Sequence, residues 1–64
     1  MKQPKSDKAL IGKIAIVASP LIPSGTVEAD GEIYDAISQE SNIESGRGVR
    51  AVGIKGSWLL VHLV

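Results

Sequence analysis

Apolar residues recur along this chain at the spacing of β-strands, and no helical periodicity extends beyond one turn. Residues 11–18 are apolar apart from Lys13 and rich in β-branched side chains, which strands favour. Residues 25–30 alternate polar and apolar positions, as a half-buried strand does. The pattern predicts five strands, at residues 11–18, 25–30, 32–37, 49–54 and 57–64.

Glycine, proline and polar residues mark the breaks between these strands. Asp30-Gly31 is a strong hairpin signal, because both residues tolerate positive φ, and Lys55-Gly56 predicts a second tight turn. Residues 19–25 contain two prolines and a glycine and predict a loop. Residues 38–48 are mostly polar and predict a longer connection with at most one helical turn.

The fold class predicted from this pattern is all-β, a small five-stranded barrel of the OB-like or SH3-like type. Closing so small a sheet on itself removes exposed edges and creates one shared core. In an OB-like barrel the helix between strands three and four would be reduced or absent, because residues 38–48 leave little room for it. We assign residues 9–64 to the barrel and residues 1–8, which carry three lysines, to a flexible tail or linker.

The balanced charge of this small domain argues against a strongly charged partner. Seven basic and seven acidic residues give a net charge of zero, whereas a nucleic-acid or polybasic membrane binder is clearly cationic. The chain has no cysteine, and therefore no disulfide or thiolate metal site. No apolar run approaches the ~18 residues that a membrane helix needs.

Groups able to perform catalysis or bind a metal are few and scattered. The single histidine, His62, lies near the end of the last strand, and no nucleophile elbow of the form Gly-x-Ser-x-Gly is present. The hairpin carboxylates Glu28, Asp30, Glu32 and Asp35 diverge across their strands, whereas a hard cation needs converging oxygen ligands. We therefore predict a non-enzymatic domain that has no catalytic residues and takes no metal and no cofactor.

The segment Leu21-Ile22-Pro23-Ser24-Gly25 predicts a rigid corner between the first two strands. Pro23 restricts φ, Ser24 can bond the nearby backbone, and Gly25 can adopt positive φ. Leu21 is expected to plug the barrel. A contact loop for a partner is the alternative reading of the same segment.

Six motifs, in order and at matching spacing, resemble the C-terminal domain of the NfeD family. They are Leu10-Ile11-Gly12-Lys13, Leu21-Ile22-Pro23-Ser24-Gly25-Thr26-Val27, Asp30-Gly31-Glu32-Ile33-Tyr34-Asp35-Ala36, Ile43-Glu44-Ser45-Gly46, Val49-Arg50-Ala51-Val52 and Gly56-Ser57-Trp58-Leu59-Leu60-Val61. The likeness covers roughly residues 10–62. At Ile22 the family often carries an arginine, so the resemblance leaves the identity of the partner open.

The resemblance implies an OB-fold barrel that serves protein–protein contact. In the family it belongs to membrane proteins whose partners are scaffold proteins of the stomatin, prohibitin or flotillin type, here called SPFH proteins. This chain would be the soluble barrel of a longer membrane-associated protein, reaching the membrane only through segments that it lacks. Long family members also carry a serine-protease domain.

Strand alternation, together with this family pattern, assigns a core. Lys13 is expected to point outward, which turns Ile14 and Ile16 inward. The family keeps apolar residues at the positions of Leu59 and Val61, and apolar residues of both parities in the fourth strand predict a β-bulge. The predicted core is Ile14, Ile16, Leu21, Val27, Ala29, Tyr34, Ala36, Ile43, Val49, Ala51, Ile54, Leu59 and Val61.

The remaining apolar residues form a candidate contact surface. Trp58 and Leu60 then lie outside the barrel with His62 beside them, and an exposed aromatic–aliphatic patch is typical of a binding surface. Ile33 points outward from the third strand, and Ile22 is placed nearby. The alternative is that residues 38–48 or the N-terminal segment cover this face. The expected partner is an SPFH scaffold protein, and a second copy of the chain is the other candidate.

Two different functions remain as alternatives. A lipoyl- or biotinyl-like carrier domain would be modified at Lys55, which lies in a tight turn, although the residues around it lack the usual carrier motif. An oligonucleotide-binding OB-fold would need a basic groove and stacking aromatics, and this chain offers Trp58 and Tyr34.

Overall fold

The computed structural model describes residues 8–40 and 42–64, which form a closed β-barrel. Its elements are a 3-10 turn at Lys8–Leu10, β1 (Ile14–Ser19), β2 (Ser24–Ala29), β3 (Glu32–Ser38), β4 (Gly48–Lys55) and β5 (Trp58–Leu63). The strand order is β1-β2-β3-β5-β4, with β4 pairing back to β1. The predicted OB-like small barrel is confirmed. The predicted tail lies outside the described residues except for Lys8.

The barrel closes through one antiparallel and one parallel contact between strands that are distant in sequence. β1 pairs with β4, with Ile14 opposite Arg50 and Ile16 opposite Gly48. β3 runs parallel to β5, with Ile37 beside Leu60. The remaining neighbours are antiparallel hairpins or meanders, so the short chain leaves few strand edges open.

The two predicted tight turns are present, and the second is shifted by one residue. Asp30 and Gly31 have φ values of 52° and 79°, the left-handed region that the hairpin between β2 and β3 requires. The second turn consists of Gly56, with φ of 62°, and Ser57. Lys55 is therefore the last residue of β4 and not part of the turn.

The core agrees with the prediction in every strand except the first. The buried residues predicted correctly are Leu21, Val27, Ala29, Tyr34, Ala36, Ile43, Val49, Ala51, Leu59 and Val61. Ile54 is half-buried and packs against them, and Leu10 joins the core without having been predicted. The predicted bulge in β4 is confirmed by a register shift between Ala51 and Gly53.

The prediction for β1 was wrong in its parity. Ile14 and Ile16 are 51% and 48% exposed, and Ala15 and Val17 fill the interior instead. Lys13 precedes the strand and follows Gly12, whose φ of 93° turns the backbone there. The outward direction of Lys13 therefore does not set the alternation of a strand that begins one residue later.

The connection between β3 and β4 is tied to the barrel by backbone hydrogen bonds at its start, its middle and its end, where Gly46 and Arg47 bond to Val17. Leu21 and Ile43 exchange backbone hydrogen bonds of 2.9 Å in both directions, which places both side chains in the core. The backbone N–H of Gln39 donates to the carbonyl of Val61. In the described part of residues 39–47 no helix is present, in agreement with the prediction.

Gly25 has a different role from the one predicted. Its φ does not lie in the left-handed region; instead, a Cβ built on Gly25 would overlap the carbonyl oxygen of Pro20 and lie 2.9 Å from that of Ser19. Glycine is needed here because two backbone segments cross closely, not because of an unusual turn. The chain turns between β1 and β2 at residues 20–23, whereas Ser24 and Gly25 of the predicted corner already belong to β2. Leu21 is completely buried, as predicted.

The parity of β1 can be tested with adjacent lysine substitutions. Val17→Lys should destabilise the domain by about 4 kcal/mol or more, because it puts an unpaired charge into the core. Ile16→Lys should cost no more than about 1 kcal/mol, because the side chain already faces water. Urea unfolding followed by circular dichroism measures both. If Val17→Lys stayed folded and Ile16→Lys unfolded, Ile16 would belong to the interior of the barrel, as the sequence predicted.

The close backbone contact at Gly25 predicts that alanine destabilises the domain more at Gly25 than at Gly48. Gly25→Ala should lower the free energy of unfolding by about 1–3 kcal/mol, because the new methyl group meets backbone that cannot move aside. Gly48→Ala is the matched control, since its Cβ would lie 3.5 Å from Cγ2 of Val64, an ordinary contact. The control should change stability by less than about 1 kcal/mol. If the two substitutions lowered the free energy of unfolding equally, the close backbone contact at Gly25 would be contradicted.

Candidate functional site

The outer faces of β3 and β5 carry several large apolar side chains, with the half-buried Asp35 between Ile33 and Ile37 on β3. Trp58 is 36% exposed at the start of β5, and Leu60 follows on the same face, half-buried. Ile37 lies beside Leu60 in the parallel pairing, and Ile33 continues the outer row of β3. We call these four residues the β3–β5 patch. The predicted outward direction of Trp58 and Leu60 is confirmed.

Leu60 is half-buried and lies close to β4. Gly53 lies opposite it, and the Cδ2 atom of Leu60 is 3.9 Å from the point that a Cβ of Gly53 would occupy. A side chain at position 53 would therefore make an ordinary van der Waals contact with Leu60. Trp58 has Lys55 opposite it instead, so the indole stands at the edge of the patch.

Glu40 fastens the far end of β5. One carboxylate oxygen of Glu40 accepts the backbone N–H of Leu63 at 3.0 Å, and the other lies 2.7 Å from Nδ1 of His62. The hydroxyl of Ser38 donates to the carbonyl of Glu40 and holds the start of this connection. His62, a candidate contact residue, thus already has a partner within the chain. Glu40 contacts His62, but the side chain of His62 is still 54% exposed and Trp58 is exposed as well, so the described part of residues 38–48 does not cover this face.

The other two candidates differ in their surroundings. Ile33 is half-buried and lies beyond the part of β3 that pairs with β5. Ile22 is 66% exposed and lines a shallow groove between the first loop and the β3–β4 connection, together with Pro20, Asn42 and Glu44. None of the other four candidates lines that groove. Trp58 and Leu60 therefore share one surface, and Ile22 contributes to a different one.

Strand alternation predicts that Ile37 points outward and adds to the apolar surface, although Ile37 was not among the contact candidates. Glu40, in contrast, escaped the prediction from sequence. Glu40 acts on Leu63, 23 residues further along the chain. No local pattern marks such a contact, because it depends on how the connection returns to β5.

The described residues contain no group of three or more His, Cys, Asp or Glu side chains arranged to hold a metal ion. Of the hairpin carboxylates, Asp30 forms an ion pair of 2.8 Å with Nζ of Lys13. Lys55 is exposed at the end of β4. No helix in the described part of the chain is long and apolar enough to cross a membrane.

Comparison with known proteins identifies relatives of this barrel. Over 53 residues the chain is 40% identical to membrane protein NfeD1b of Bacillus subtilis strain 168. The match covers 83% of this chain and 12% of that relative, so the chain spans a small part of the longer protein's length.

A solved structure has the same fold. It is the C-terminal domain of stomatin operon partner protein 1510-C from Pyrococcus horikoshii, with a TM-score of 0.84 and 34% sequence identity. The match covers 89% of this chain and 91% of that domain. Residues 7–62 also match the family model described as the NfeD-like C-terminal, partner-binding domain. The barrel, its sequence motifs and both relatives agree, and the chain belongs to the NfeD family.

Proposed function

We propose that this barrel is a non-catalytic docking domain that binds an SPFH scaffold protein of the stomatin type through the β3–β5 patch. The family is described as partner-binding, and the structural relative is named as a stomatin operon partner. Within the longer protein from which such a domain derives, the docking would take place at a membrane, as the name of the bacterial relative suggests.

The observation that carries this proposal is the exposed Trp58 beside Leu60 and Ile37. A large aromatic side chain exposed next to aliphatic ones is costly in water and is the most frequent kind of anchor in protein interfaces. Two charged residues accompany the apolar side chains: Lys55 lies opposite Trp58, and the half-buried Asp35 lies between Ile33 and Ile37 on β3. Charged groups beside an apolar anchor contribute to the specificity of a protein-binding surface.

The patch is also presented on a rigid base. Leu59 and Val61, on the inner face of β5, are fully buried, and Glu40 holds the end of the strand. A side chain that is already ordered loses less conformational freedom on binding. His62 would therefore contribute at the edge of the contact and Ile33 would extend it along β3, while Ile22 lies outside it in the separate groove.

The test uses a lysine at Trp58. Trp58→Lys should weaken binding to a purified stomatin-type protein from the same organism by at least ~30-fold, the effect of losing an anchor worth ~2 kcal/mol. Leu60→Lys should act in the same direction. Isothermal titration or surface plasmon resonance measures the affinity, and circular dichroism verifies the fold.

Ile16→Lys is the matched control, because it places the same charge on an exposed apolar residue of β1. It should leave the affinity for the stomatin-type protein within ~3-fold of the original, since β1 lies on another side of the barrel. Full binding by a folded Trp58→Lys variant, or loss of binding in Ile16→Lys alone, would contradict the proposed surface.

A further inference from the structure

A second apolar surface lies on the outside of β1, the strand whose inner and outer faces are opposite to those predicted. Ile14 and Ile16 project from it, about half exposed. Gly48 lies opposite Ile16 on β4, and the point that a Cβ of Gly48 would occupy is 3.5 Å from Cγ2 of Val64, which is 61% exposed. We call Ile14, Ile16 and Val64 the β1 stripe. No described segment of the chain covers it.

Opposite charges flank the β1 stripe on its two sides. Glu28 on β2 lies directly opposite Ile16, and Arg50 on β4 lies directly opposite Ile14. Both side chains are exposed and point outward, because their neighbours Val27, Ala29, Val49 and Ala51 are buried. Neither forms an ion pair within the described part of the chain. Asp30, the next acidic residue, is paired with Lys13.

This charge pattern is complementary to itself. A two-fold axis that lies in an interface, at right angles to the line joining Glu28 and Arg50, places Arg50 of each copy against Glu28 of the other. The isoleucines then meet at the centre, which is the arrangement of an isologous dimer. The net charge of zero adds no long-range repulsion between copies.

We propose that the β1 stripe is a self-association surface, whose occupant is the β1 stripe of a second copy of this chain. A domain measuring 25 × 22 × 20 Å offers a small face, which belongs to the class of interfaces below ~1,200 Å². Such contacts are weak, so the dissociation constant should fall between ~10 µM and ~1 mM. The inference does not depend on the proposed function, because it concerns a different surface.

Sedimentation equilibrium between ~10 µM and ~1 mM protein tests it. The apparent mass of the unaltered chain should rise with concentration from 6.7 kDa toward twice that value. Ile16→Lys should keep the monomer mass throughout, and Trp58→Lys should dimerise like the unaltered chain. Persistent monomer mass at the highest concentration would overturn the proposal, as would dimers that depend on Trp58 and not on Ile16.

A charge exchange decides whether Glu28 and Arg50 meet across the dimer. Glu28→Arg and Arg50→Glu should each raise the dissociation constant at least ~10-fold, because like charges then face each other. The double variant should restore it to within ~3-fold, with the pairs reversed. Both positions are exposed, so the variants should fold, and circular dichroism checks this. If both single variants dimerise more weakly and the double variant does not recover the dissociation constant of the unaltered chain, the proposed geometry is wrong.

Discussion

The pairing of β1 with β4 is the interaction on which the rest of the structure depends. It spans three residue pairs, from Ile14 opposite Arg50 to Ile16 opposite Gly48, and it turns an open sheet into a closed barrel. Without this pairing β1 and β4 would be exposed edge strands, and the core residues on their inner faces would lose part of their packing. A chain of this size buries too little surface to tolerate that loss.

Closure also decides where function can lie. The interior is filled by side chains such as Leu21, Leu59 and Val61, so ligand recognition is left to the outer surface. The β3–β5 patch and the β1 stripe lie there, separated in the closed strand order by β4 on one side and by β2 on the other. The two proposed contacts therefore use different strands of the barrel.

Gly25 permits a close backbone crossing beside the start of β2. A Cβ at Gly25 would overlap the carbonyl oxygen of Pro20, next to the completely buried Leu21. At Gly48 and Gly53, by contrast, a Cβ would make only ordinary contacts with Val64 and Leu60. At Gly25 the reason for glycine is the proximity of another backbone segment, which composition and turn propensity do not reveal.

The sequence by itself determined the five strands, the Asp30-Gly31 turn and the bulge in β4, because these follow from local periodicity and turn chemistry. The inner face of β5 came from the family resemblance, because both faces of that strand are apolar. Only the tertiary structure decided the parity of β1, where apolar residues on both faces left no local signal and the pairing with β4 chose Ala15 and Val17 for the interior. It also brought Glu40 to Leu63 and placed Ile22 on a separate groove. These contacts join residues distant along the chain, and their geometry exists only once the barrel has closed.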